Sequence, residues 1–96
     1  MFGQYIRPYV ERFCQGVSVD HLVQMAENGE DVYHIWLDQF SSAEKPPRIA
    51  ALFREQIKGE MKSVMAEVCP EYYRVFDGNP TWAERQLDGL FVELFS

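Results

Sequence analysis

Residues 47–68, PRIAALFREQIKGEMKSVMAEV, decide the fold class. Ile49, Leu52, Phe53, Ile57, Met61, Val64, Met65 and Val68 recur at intervals of three and four, the spacing of one apolar stripe on an α-helix. Pro47 suits the first turn, where a missing N–H costs nothing. At about 1.5 Å of rise per residue such a helix spans about 30 Å, enough to serve as a spine for the rest of the chain. Gly59 interrupts it, and close approach of another helix is the expected compensation for a helix-weakening glycine.

The flanking sequence has the same period, and no stretch shows the alternation of a half-buried strand. On the N-terminal side, Phe2, Ile6, Tyr9, Val10 and Phe13 mark a first helix that stops at Gly16, with Pro8 either making its first turn irregular or marking where the helix proper begins. Ser18 caps a short second helix carrying Val19, Leu22, Val23 and Ala26, closed by Asn28 and Gly29. A third is expected from Glu30 to Phe40 with Val32, Ile35, Trp36 and Phe40 inward, its stop set by Ser41, Ser42 and Pro46-Pro47. Pro70 ends or kinks the spine, and a short aromatic piece from Glu71 to Phe76 follows before the turn Asp77-Gly78-Asn79-Pro80. A last helix follows with the T-x-x-E box Thr81/Glu84 and the stripe Trp82, Leu87, Leu90, Phe91 and Leu94. Trp82 is expected to be buried near Phe53 or Ile57. The whole reads as one all-α domain, residues 1–96, a compact bundle of about five helices around the long one at 47–68.

With 96 residues, 47% of them hydrophobic and 15% aromatic, the chain holds enough apolar material for one core, which argues against disorder. No run approaches the roughly 20 apolar residues of a membrane span. The opening residues show no apolar run behind a basic flank, so a cytoplasmic protein is expected. Cys14 and Cys69 lie too far apart in sequence for a small disulfide framework, and reduced thiols are the expectation unless helix packing brings the two together.

The net charge of −6 is unevenly spread: residues 13–44 carry Asp20, Glu27, Glu30, Asp31, Asp38 and Glu44 and no Lys or Arg. The spine carries Lys45, Arg48, Arg54, Lys58 and Lys62. Acidic helices two and three either rest against these bases or face outward as a docking surface, with Asp20, Glu27, Glu30, Asp31 and Asp38 steering a positively charged protein partner. A second candidate surface is Tyr72, Tyr73 and Arg74, since aromatic residues and arginine dominate binding hot spots. Two adjacent tyrosines on a helix cannot both point inward. The apolar C-terminus, Phe91, Val92, Leu94 and Phe95, must dock on its own core or be covered by a second copy or a partner.

Other chemistries find little support. Met25, Gly29, Val32 and Ile35 are spaced like a helix-turn-helix, but that helix would present Glu30, Asp31 and Asp38 to phosphates. Arg48, Arg54, Lys58 and Lys62 leave a nucleic-acid-binding regulator as the alternative function. Cys14, His21, His34 and Cys69 have no metal-ligand spacing, so no metal or other cofactor is expected. Glu60 and Glu67 share a helix face without the E-x-x-H element of di-metal bundles. Cys14 and His21 lack an orienting group and an oxyanion site for catalysis. The expectation is therefore a non-enzymatic interaction module, in its most concrete form an inhibitor or immunity-type protein that occupies a basic surface.

Overall fold

A computed structural model describes residues 2–96. Six α-helices follow in order: α1 (Gly3–Gly16), α2 (Val19–Asn28), α3 (Tyr33–Leu37), α4 (Arg54–Val68), α5 (Pro70–Gly78) and α6 (Pro80–Leu90), the last continued by a π-helical turn over Phe91–Phe95. Short 3-10 turns at Ser42–Glu44 and Ala51–Phe53 complete the helical content, and there is no strand among the described residues. The all-α bundle expected from the apolar period is the fold.

Each boundary has a local cause. Ser18 accepts a hydrogen bond from the His21 N–H at 3.1 Å and opens α2. Gly29 closes it in the left-handed region at φ 71°, where a side chain would be strained. Pro70 and Pro80 stand at the starts of α5 and α6, where no amide is needed. The turn after α3 is closed by Ser41 and Glu44, whose side chains each take up the other's backbone N–H.

The spine is shorter than its apolar stripe. Residues 45–50 are extended rather than helical, because the Ile49 N–H is donated to the Phe95 carbonyl at 2.6 Å and the Pro47 carbonyl accepts from the Tyr5 hydroxyl at 3.2 Å. These residues form a strap across the C-terminal turn, leaving Leu52 80% exposed. Helix three is shortened likewise, from the expected 30–40 to Tyr33–Leu37. The Thr81/Glu84 box does not form: α6 starts two residues earlier than a Thr81 cap would set it, without a side-chain cap, and Glu84 is drawn to Lys58.

The core is an aromatic column. The Trp36 ring lies between Phe13, 5.0 Å away, and Phe76, 5.8 Å away, with Tyr72 beside it at 6.2 Å. Trp82 meets Phe76 edge-on at 5.1 Å. Trp82 is thus buried as expected, with Phe76 of α5 and the backbone of Glu30 as its partners. The column joins α1, α3, α5 and α6, while Ile57, Met61, Val64 and Met65 of α4 close the core from the other side. The C-terminal apolar residues belong to this core: Phe91, Leu94 and Phe95 are buried and only Val92 remains exposed, which withdraws most of the surface expected for a second copy.

Gly59 faces open space, so no helix approaches there. The close approaches are at Gly16, where a Cβ would lie 2.6 Å from the Gln39 amide, and at Gly89, where it would lie 2.7 Å from the Tyr33 ring.

Candidate interaction surfaces

The acidic segment divides into outward and inward carboxylates. Asp20 and Glu27, seven positions apart, share one exposed face of α2. Glu30 is exposed just beyond the α2 cap, and Asp38 is exposed at the end of α3. None of these four forms an ion pair among the described residues. Asp38 also borders an opening lined by His34, Ser42, Lys45 and Glu93, so a base stands close to that end of the surface.

Asp31 does not belong with them. Its carboxylate accepts from Gln86 Nε2 at 3.0 Å and from Arg85 Nε at 2.7 Å. Those two bonds hold it below its ordinary value of 3.8, the Gln86 bond contributing most. An acid spent inside the fold is withdrawn from the docking set.

This follows from how α6 holds the acidic connection. Trp82 Nε1 donates to the Glu30 carbonyl at 2.6 Å and Arg85 Nη2 to the Gly29 carbonyl at 2.6 Å. Gln86 Oε1 accepts from the Val32 N–H at 2.8 Å and from the Tyr33 N–H at 3.3 Å. Gln86 is wholly buried and caps α3 from across the molecule, a task no residue of the 30–33 segment performs. The three side chains fix the direction in which Glu30 is presented.

On its opposite flank α6 takes the spine's bases. Lys58 is 4% exposed, and its ammonium meets Glu55, Glu84 and Asp88. Arg54 Nε and Nη2 donate to Asp88 Oδ1 at 3.0 and 2.9 Å. Burial by itself would push the Lys58 ammonium down, but its bonds to Glu84, Asp88 and Glu55 outweigh it and the net shift is upward. Asp88 is lowered despite its own burial, because Lys58 and Arg54 both donate to it. Two of these bases, Arg54 and Lys58, therefore rest against α6 and not against the acidic segment. Arg54 and Lys58 are withdrawn from any nucleic-acid surface, leaving Arg48 and Lys62 exposed.

The aromatic patch also divides. Tyr72 is 2% exposed and its hydroxyl donates to the Val17 carbonyl. Desolvation raises that hydroxyl above its ordinary value, against the effect of the Val17 bond. It lies inward with Val75 and Phe76, three and four positions on, so it cannot anchor a partner. Tyr73 is half-buried against the core, and Arg74 is exposed.

The cysteines depart furthest from expectation. Cys14 and Cys69 are joined in a disulfide with Cα atoms 6.4 Å apart, within the usual span for such a bond. This ties the end of α1 to the α4–α5 junction and removes both sulfurs from any metal set or thiol nucleophile. His21 and His34 are exposed on separate helices. Glu55, Glu84 and Asp88 place carboxylate oxygens within 4.8 Å of one another, but the Lys58 ammonium stands where a metal cation would.

Sequence reading overlooked Gln86, Arg85 and the burial of Lys58. One signal was available for the last: Arg54 and Lys58 are four apart on one helix, Glu84 and Asp88 four apart on another, a spacing that aligns two bases with two acids. No helix among the described residues is long and apolar enough to cross a membrane. Compared with protein-family models, with curated proteins and with solved structures, the chain gives no significant match.

Proposed function

We propose that the protein is a non-enzymatic interaction module whose acidic surface, Asp20, Glu27, Glu30 and Asp38, occupies a basic surface of a protein partner, as an inhibitor or immunity-type protein does. The cytoplasm is the compartment that goes with this reading. The observation that carries it is the disposition of charge. Arg7, Arg12, Arg54, Lys58 and Arg85 are each held by a carboxylate of the chain, whereas these four acids are exposed and unpaired among the described residues. The outward field over α2 and the α2–α3 connection is negative, and a fixed negative field accelerates encounter with a cationic surface.

The test begins with capture of partners from the native host on the immobilised chain, followed by association kinetics with the captured protein. Changing Asp20, Asp38, Glu27 and Glu30 to Asn or Gln should slow association at least about tenfold at low salt and change dissociation little. Exposed charges contribute about 0–1 kcal/mol each, so the fold should persist. Capture unaffected by these changes but abolished by Tyr73→Ala or Arg74→Ala would overturn the reading in favour of the remaining aromatic surface. Salt-sensitive DNA binding lost on neutralising Arg48 and Lys62 would overturn it in favour of a nucleic-acid regulator.

A further inference from the structure

We propose that Cys14–Cys69 is an exchange-active disulfide of the folded protein, opened by a dithiol that attacks Cys14 Sγ while Cys69 departs as the thiolate. The inference is independent of the acidic surface and rests on an asymmetry between the two cysteines. Both are half-buried, yet the opening that reaches the bond, about 220 Å³ and lined by Glu11, Cys14, Gln15 and Val68, has Cys14 and not Cys69 in its wall. A reagent arriving there meets Cys14 with Cys69 behind it.

Charge favours the same direction. Cys69 is the residue from which the nine-residue helix α5 starts, and its carbonyl accepts from the Tyr72 and Tyr73 N–H groups. Cys69 also closes the fifteen-residue helix α4, its N–H donated to the Met65 carbonyl at 2.8 Å, so the negative end of α4 and the positive end of α5 meet at this residue and largely offset each other. Cys14 lies at the other end of its own helix, with Gly16 the last residue of α1, where the dipole is negative, and Glu11 lies in the same opening. Negative charge developing on sulfur is thus less disfavoured at Cys69, where two helix ends of opposite sign meet, than at Cys14, so Cys69 is the better leaving group of the two.

The electrons balance over two steps. The first thiolate of the dithiol bonds to Cys14 Sγ as the Cys14–Cys69 bond breaks, its electron pair going to Cys69 Sγ. The second thiolate then attacks the reagent sulfur of the mixed disulfide and frees Cys14, so the dithiol is oxidised to a disulfide and the two cysteines are reduced. The dithiol's protons pass to solvent or to the cysteine thiolates. The opened chain should remain folded, because the apolar packing of α1 on the core and the bond from Tyr72 to the Val17 carbonyl do not depend on the sulfurs.

The experiment uses the full chain, oxidised with glutathione disulfide and checked for the absence of free thiols. Brief exposure to the monothiol glutathione, acid quenching, alkylation and peptide mapping should place glutathione on Cys14 and the alkyl group on Cys69, in an excess of about twofold, the lower end of what a helix-end charge supplies. Millimolar dithiothreitol should open the bond in native buffer with helical circular dichroism retained. Equal labelling, or glutathione chiefly on Cys69, would overturn the proposal. So would a bond that yields only in denaturant, or two free thiols persisting after oxidation.

Discussion

The two flanks of α6 solve different problems with different chemistry. Towards the acidic connection, Trp82, Arg85 and Gln86 place side-chain groups on backbone groups of residues 29–33. Towards the spine, Glu84 and Asp88 place charge on charge, taking Lys58 and Arg54. The first flank completes backbone hydrogen bonding that the 30–33 segment cannot complete for itself. The second neutralises bases that would otherwise oppose the chain's negative field. Gln86 and Lys58, one on each side, are the buried polar and charged residues among those described. A buried amide on a backbone has no alternative partner, whereas rim carboxylates have water, and the expected losses rank accordingly.

Gln86→Leu should be the most damaging change. It keeps the side chain's bulk but leaves the Val32 and Tyr33 N–H groups without their acceptor. Each orphaned buried donor costs about 1–3 kcal/mol, so a loss of about 3 kcal/mol is expected in denaturant unfolding. For a small domain that is a large share of its stability. A loss below about 1 kcal/mol would mean that the 30–33 segment finds other partners and that the two flanks are equivalent.

Lys58→Ala tests the other flank. Breaking a fully buried ion pair costs about 3–5 kcal/mol, but Glu55 and Glu84 are largely solvated, which reduces the expected loss to about 2 kcal/mol. Lys58→Met, which restores the packed stem without the charge, should recover part of it. If Met recovered nothing, the charge alone would matter and the flank would be purely electrostatic.

That ranking also explains which parts were legible in the sequence. Apolar period reports which residues turn inward when all inward residues are apolar, so Ile6, Val10 and Phe13 of α1, and Trp36 and Trp82, were found. The period cannot report Gln86 or Lys58, which are polar and buried because of partners distant in sequence. Helix ends set by local chemistry, Ser18, Gly29 and Pro70, were readable for the same reason. Those set by remote contacts were not: Ile49 reads as helical but donates to Phe95, and Glu30 and Asp31 read as a helix start until Gln86 supplies the cap from α6. Tyr72 and Tyr73 could be divided into one inward and one outward residue, but only the tertiary position of Val17 chooses Tyr72 for the core. For the acidic surface, Asp31 was indistinguishable by composition from Glu30.

The tryptophans sharpen the comparison at a smaller scale. Trp82 donates its indole N–H to the Glu30 carbonyl, while the Trp36 indole nitrogen is buried without a partner among the described residues. Trp82→Phe therefore loses a hydrogen bond as well as volume, and Trp36→Phe loses volume but removes an unsatisfied donor. The melting experiments should show Trp82→Phe costing about 1 kcal/mol more than Trp36→Phe. Equal losses would show that the bond to Glu30 contributes nothing net.

The smallest effect separates the flanks by pH. Asp31 has its carboxyl lowered in the folded state, so its contribution is whole above the ordinary value of 3.8 and drains away as the pH falls through the lowered folded value. Lys58 has its ammonium raised above 10.5, so its contribution is whole below 10.5 and is lost as the pH rises through the folded value. Asp31→Asn should consequently flatten the acid limb of the stability profile by no more than about 1 kcal/mol, since the Arg85 pair is half-exposed, and leave the alkaline limb alone. Lys58→Met should flatten the alkaline limb and leave unchanged the loss of the Asp31 contribution as the pH falls below 3.8. Asp88 links the two experiments, because its lowered carboxyl depends on Lys58 and Arg54. Removing Lys58 should therefore also take a little from the acid limb, and Asp88→Asn combined with Lys58→Met should take less than the sum of the two single changes. Full additivity would mean that the carboxylate and the ammonium do not sense each other, and that the spine flank is held by packing alone.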